Sequence, residues 1–197
     1  MSEKQEYTIT LYTENQVGLL NRVLIIFSRR KINVESLSAA PSESPGVHRL
    51  TIVITEAEET VRKICTQLEK QIEVLKAYYS SNDEIVWQEM ALYKVATSEV
   101  AEKVQVERLL RQHGARAVVI RHDYTVFETV GHREEIDALT EALQPHGLIE
   151  FVRSARVAII KASAGFHKLL TEFEQREPAE DVAENEYLNQ GANIFTV

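Results

Sequence analysis

The residues best suited by type to hold a small polar ligand are Asn15, Gln16, Val17 and Gly18, in the break Glu14–Gly18 between two strongly patterned segments. Before them, 6–13 (EYTITLYT) alternates, with Tyr7, Ile9 and Leu11 on one face, the period of a strand. After them, Leu19, Leu20, Val23, Leu24, Ile26 and Phe27 recur at helical spacing. A short turn that opens directly into a helix aims unpaired backbone N–H groups at one spot. The positive end of the helix dipole acts on the same spot and favours a carboxylate there. Gly18 has no Cβ, so ligand atoms can approach its backbone closely. The Asn15 amide can accept from an ammonium or donate to a carboxylate. Together these groups suit a zwitterionic α-amino acid. Asn33, at the expected start of the second strand, offers another amide, and Val17, Leu19 and Val34 offer apolar surface for an aliphatic side chain. If that strand is a sheet edge, it can pair with the same strand of a second copy, setting Asn33 at a dimer seam near 15–18. On these residues alone a plainer reading stays open, in which Asn15 caps the helix and Gly18 serves packing.

Other chemistries find little support. The six histidines (48, 113, 122, 132, 146 and 167) form no H-x-x-x-H or His/Cys cluster. His122 and Asp123 fall at an expected hairpin turn. The single cysteine, Cys65, excludes an internal disulfide and a CxxC site and implies a reducing compartment. It lies on the apolar side of an expected helix and reads as a small core residue. No phosphate-binding glycine loop occurs. A net charge of −8 argues against nucleic acid, whose phosphates require cationic surface. The third strand, RLTIVI, also lacks the aromatics of an RNA-binding sheet of the same element order. MSEKQEYTIT carries no apolar run like a signal peptide, and no stretch approaches a membrane span of about 18 residues. The expected location is the cytoplasm, with no membrane and no nucleic-acid partner.

The elements that must position these residues follow from periodicity and turn composition. Strand 6–13 and the helix closed by Arg29, Arg30 and Lys31 precede a hairpin over 33–55, turned at PSESPG. The basic trio matches the negative end of the helix dipole. Helix 56–70 (Val61, Ile64, Cys65, Leu68) and strand 71–79 complete a βαββαβ unit, and 80–84 reads as a linker. The order then repeats with strand 85–97, helix 100–113 stopped by Gly114, strands 116–122 and 124–130, helix 132–143, and a last strand region over 148–162. The expected fold is α+β: two ferredoxin-like βαββαβ units, each an antiparallel sheet with two helices on one face. Residues 166–197 hold seven acids and two bases, most of the net negative charge, and Leu169, Leu170 and Phe173 suggest a short helix there.

The stretch 14–54 carries E-N-x-x-G-L-L-x-R-V at 14–23, F-S-R-R-x-x-N-V-E-S-L at 27–37, and A-P followed by R-L-T-I at 49–52. At this spacing it resembles the N-terminal ACT domain of the acetolactate (acetohydroxyacid) synthase small subunit. The second half, with R-S-A-R-V-A at 153–158, is similar to the C-terminal domain of that family, and the resemblance covers about 5–165. The resemblance implies an ACT regulatory domain over 5–80 and the small subunit's C-terminal domain over 85–165, with 166–197 as an acidic extension outside the pattern.

Such subunits have no active site. They bind a large catalytic subunit, raise its activity, and confer feedback inhibition by a branched-chain amino acid, usually valine. Thiamine diphosphate, magnesium and FAD belong to the large subunit, which condenses two pyruvates or pyruvate with 2-oxobutyrate; no cofactor is expected in this chain. Two ACT domains pair as a homodimer with the effector at their interface. Asn15, Gly18 and Asn33 match the family's ligand-contacting positions, and Gln16, Val17, Leu19 and Val34 follow by proximity. A stand-alone ACT-type amino-acid sensor for a different enzyme is the alternative that keeps the same pocket.

Overall fold

The computed structural model describes residues 3–162; the acidic extension and its expected short helix lie outside the described residues. The first half runs β1 (Gln5–Glu14), α1 (Leu19–Arg29), β2 (Ser36–Pro41), β3 (Val47–Glu56), α2 (Glu58–Leu68) and β4 (Val74–Ser81). Its strands form an antiparallel sheet in the order β2-β3-β1-β4. Alternation puts Tyr7, Ile9 and Leu11 of β1 on the same face as Leu50, Ile52 and Ile54 of β3. That face is closed by Leu19, Val23, Ile26 and Phe27 of α1 and by Val61, Ile64, Cys65 and Leu68 of α2. Burying one large aliphatic or aromatic side chain contributes about 1.5–3 kcal/mol, so these two stripes fix which way each helix faces. Burial and the nearby Glu69 push the Cys65 thiol up to about 12, so it stays protonated and serves as a core residue.

The second half repeats the plan with β5 (Ile85–Ala96), α3 (Thr97–Glu102), α4 (Val104–Gln112), β6 (Arg116–Ile120), β7 (Tyr124–Gly131), α5 (Arg133–Leu143), β8 (Leu148–Arg153) and β9 (Val157–Ile160). The sheet order is β6-β7-β5-β8. Ala91, Tyr93 and Val95 pack with Phe127 against Val106, Leu110, Ile136, Leu139 and Leu143. The Tyr93 hydroxyl, buried with its ring, donates to the Ile136 carbonyl at 3.0 Å. Both sheets belong to one compact unit, and the architecture is α+β with two ferredoxin-like units. Among the described residues no helix is long and apolar enough to cross a membrane.

Three expectations need correction. Helix 100–113 is two helices, because Lys103 is extended (φ −112°, ψ 96°); α4 then restarts in register with its buried pair, Val106 and Leu110. The segment 80–84 is a fixed corner rather than a linker. β4 continues to Ser81, and Asn82–Glu84 forms one 3₁₀ turn in which the Glu84 carboxylate accepts from the Ser81 N–H at 2.8 Å. The last strand region divides at 154–156. Ser154 still exchanges hydrogen bonds with the Met90 backbone, but Arg156 turns inward and β9 pairs with Ile85–Gln88 at the other end of β5.

Gly114 ends α4 as expected, at φ +64° with the Ala115 N–H donating back to the Leu110 carbonyl at 2.8 Å. A Cβ there would meet nothing within 4 Å, so only the backbone objects to a side chain. Gly114→Ala is expected to cost about 1 kcal/mol, read as a lower urea midpoint with an unchanged slope.

Candidate functional site

The turn between β1 and α1 is built by Gly18. The Leu19 N–H donates to the Gln16 carbonyl at 3.3 Å, and Gly18 sits at φ +84°, ψ −7°. These are the features of a type II turn with glycine in its third position, where a residue with a side chain is strained. The helix therefore begins at Leu19, and Gly18 itself is the N-cap residue. This corrects the expectation that Asn15 caps the helix, and it removes packing as the reason for Gly18. A Cβ on Gly18 would meet no atom within 4 Å, so the space above it is open.

The helix start is left polar and unsatisfied. No side chain caps α1, and its first turn holds no acidic residue. The N–H groups of Val17, Gly18, Leu20 and Asn21 donate to no group among the described residues. The positive end of the α1 dipole thus faces an exposed surface with several free donors. Leu20 and Asn21 were not singled out from the sequence. The signal that identifies them is the turn itself, since a glycine directly before a helix's first apolar pair, Leu19 and Leu20, sets where helical hydrogen bonding starts.

The other expected site residues have distinct surroundings. Asn15 is exposed; its N–H donates to the Gly46 carbonyl at 3.2 Å, tying the turn to the β2–β3 hairpin. Gln16 is exposed, and its amide donates to the Glu14 carboxylate at 2.9 Å. Val17 is 99% exposed, so it takes no part in the core and its side chain is open to solvent beside the turn. Leu19 is different: its side chain is buried in the core beneath the turn, so it supports the turn from below and does not offer a free apolar wall. Nearby, Arg22 pairs with Glu73 at 2.6 Å.

Asn33 and Val34 lie elsewhere. They precede β2 rather than beginning it, in the loop that follows α1. That loop is set by a Schellman-type closure: the Ile32 N–H donates to the Phe27 carbonyl at 3.1 Å and Lys31 takes φ +57°. Ile32 and Val34 pack against the core, which leaves Asn33 between them exposed, its amide donating to Glu35 at 3.3 Å. The 11 residues of α1, at about 1.5 Å each, put some 16 Å between Gly18 and this loop. Within one chain the candidate residues therefore form two groups at opposite ends of α1.

The topology relates the two groups. β2 pairs with β3 and is the sheet edge. It runs antiparallel to β3, which runs antiparallel to β1, so β2 is parallel to β1. The register sets Ser36 level with Thr8 and Pro41 level with Thr13, so β2 ends beside the Gly18 turn and starts at the far end. No charged residue guards this edge; its sequence is SLSAAP.

Family models match both halves of the chain: an AHAS small subunit-like ACT domain over 9–76, and the small subunit of acetolactate synthase over 88–162. The acetolactate synthase small subunit of Bacillus subtilis is 34% identical over 156 residues, which cover 79% of this chain and 90% of that protein. The corresponding Mycobacterium leprae protein is 31% identical over 159 residues, covering 81% and 94%. The crystal structure of the Thermotoga maritima acetolactate synthase small subunit superposes with a TM-score of 0.72 at 26% identity, covering 81% of this chain and 99% of that one.

Proposed function

The chain belongs to the family of acetolactate synthase small subunits, and from that premise we propose that it is a non-catalytic regulatory subunit whose paired copies sense a branched-chain amino acid, valine foremost. Its partner is a large catalytic subunit, which it activates and, with valine bound, restrains. The thiamine diphosphate, magnesium and FAD of the reaction are assigned to that large subunit.

The observation that carries this reading is the direction of the edge strand. Two copies of β2 related by a two-fold axis pair antiparallel. The partner's β2 then starts where the first copy's β2 ends, which is the Gly18 end of the sheet. Asn33 and Val34 of the second copy are thereby brought toward Asn15, Gln16, Val17 and Gly18 of the first. The free N–H groups at the start of α1 receive the ligand's carboxylate. The two asparagine amides serve its polar groups, and Val17, with the part of Val34 left uncovered by its core packing, receives its aliphatic side chain.

Regulation follows by linkage. Valine gains contacts only in the paired arrangement and shifts the complex toward the state that holds it better, with a coupling of about 1–3 kcal/mol. Calorimetric titration of the purified chain with valine, leucine and isoleucine in turn tests the reading. Saturable heat is expected with valine, and no heat with any of the three overturns the proposal. Asn33→Ala is expected to weaken valine binding about tenfold, some 1.4 kcal/mol, while light scattering still reports a dimer. Loss of the dimer would make Asn33 a structural residue instead.

A further inference from the structure

The R-S-A-R segment at 153–156 has no part in the site described above, yet it holds the most deeply buried cation among the described residues. Arg156 is 1% exposed. Its guanidinium donates to the Thr8 hydroxyl and to the Asn82 side-chain carbonyl, both at 2.9 Å, and to the Glu6 carboxylate. Its flat face lies 3.6 Å from the ring centre of Trp87, the chain's single tryptophan. Glu6, Thr8 and Asn82 come from β1 and the corner after β4, whereas Trp87 and Arg156 come from the second half. The contacts continue outward. Arg133 lies 3.8 Å from Glu6 and 3.1 Å from the buried carboxylate of Glu89. Arg153 lies 3.3 Å from Glu89 and 2.6 Å from Asp137. Three carboxylates and three guanidinium groups alternate, and the charge closes to zero.

This cluster does not hold either hydrophobic core together; each half has its own. It joins the two. Burial alone would raise the Glu6 carboxyl, but the hydrogen bonds from Arg156 and Asn82 and the charges of Arg156 and Arg133 outweigh that and hold it below its ordinary value. The guanidinium plane is fixed on one face by the indole and along its edges by three acceptors, which a lysine ammonium cannot reproduce. Sliding one half on the other would break these hydrogen bonds to three separate acceptors.

We propose that Arg156 is a latch that locks the two ferredoxin-like sheets into one mechanical unit, so that a change at the effector turn, at the far end of β1 from Glu6 and Thr8, is carried to the second half as a rigid movement. The last clause rests on the function proposed above; the latch itself does not.

Two measurements on the full chain separate them. The wild-type protein is expected to unfold in a single transition, with Trp87 emission and far-ultraviolet circular dichroism coinciding. Arg156→Met keeps the apolar stem but removes the charged fork, and is expected to give two transitions and red-shifted Trp87 emission. Arg156→Lys serves should the methionine variant fail to fold, and is expected to separate the two probes more weakly. One coincident transition at the wild-type midpoint in both variants overturns the latch, as would two transitions in the wild type.

In the complex with the large subunit, Arg156→Met is expected to bind valine within about twofold of wild type and yet lose inhibition. Intact inhibition beside a split unfolding profile overturns the transmission. A wild-type chain that takes up no valine defeats the effector reading, and the latch is then judged by unfolding alone.

Discussion

Gly18→Asp is expected to abolish valine binding while leaving the protein folded and dimeric. The introduced carboxylate would stand over the free N–H groups of Leu20 and Asn21, where the ligand's own carboxylate is proposed to sit. It would satisfy those donors and repel the incoming anion. Loss of affinity should be at least about 100-fold, close to 3 kcal/mol. The fold should survive because a Cβ at this position meets no atom within 4 Å. The left-handed backbone at φ +84° costs an aspartate of order 1 kcal/mol, and a negative charge at a helix start returns a similar amount. Gly18→Ala, which carries the backbone strain without the charge, should lose less. Calorimetry showing valine affinity within a few-fold of wild type in Gly18→Asp would remove the turn from the site.

Ala39→Pro is expected to convert the dimer into monomers and to take valine binding with it. Along β2 the backbone groups alternate between facing β3 and facing outward. The Ser42 N–H donates to the Val47 carbonyl at 2.8 Å, so Ser38 and Ala40 face β3 in the same phase while Leu37 and Ala39 present their N–H groups to the open edge. A proline at 39 removes an outward donor and sets a ring in the path of a partner strand, yet leaves the bonds to β3 in place. Ala39 is exposed, so the core is not disturbed. Sedimentation should show dimerisation weakened, with the dissociation constant at least about 100-fold above the wild type's, and the monomer's circular dichroism unchanged. A stable dimer in this variant, or valine binding to its monomer at wild-type affinity, would show that the edge is not the seam.

Much of the fold is legible because it rests on local periodicity. The alternation of Tyr7, Ile9 and Leu11 and the stripe of Leu19, Val23, Ile26 and Phe27 each declare a face without help from the rest of the chain, and so do Val61, Ile64, Cys65 and Leu68. The departures occur where a distant residue decides. Nothing local announces that the strand region from Leu148 must break at 154–156; the break exists because Arg156 finds Glu6 and Asn82, far away in sequence. The division of the third helix at Lys103 likewise follows no composition signal, since no glycine or proline stands there.

At the site, residue types suggest the chemistry, but its geometry comes from the turn. Asn15 looks like a cap because the sequence does not reveal that Gly18, in a left-handed conformation, delays the helix by three residues. Leu19 looks like a ligand neighbour because adjacency in sequence hides the direction of its side chain into the core. Asn33 and Gly18 lie at opposite ends of α1 in a single chain, and the strand order leaves β2 at the edge along which the proposed pairing of two copies would bring them together.

A mixing experiment tests this shared construction most directly. Gly18→Asp and Asn33→Ala chains are combined, unfolded and refolded together so that mixed dimers form, and valine is titrated in. In a mixed dimer one site receives both substitutions and the other receives neither. Random pairing should therefore restore wild-type affinity at about a quarter of the sites present in the unaltered protein. If each chain built its site alone, no site of wild-type affinity would appear in the mixture, and the two-copy account would be contradicted.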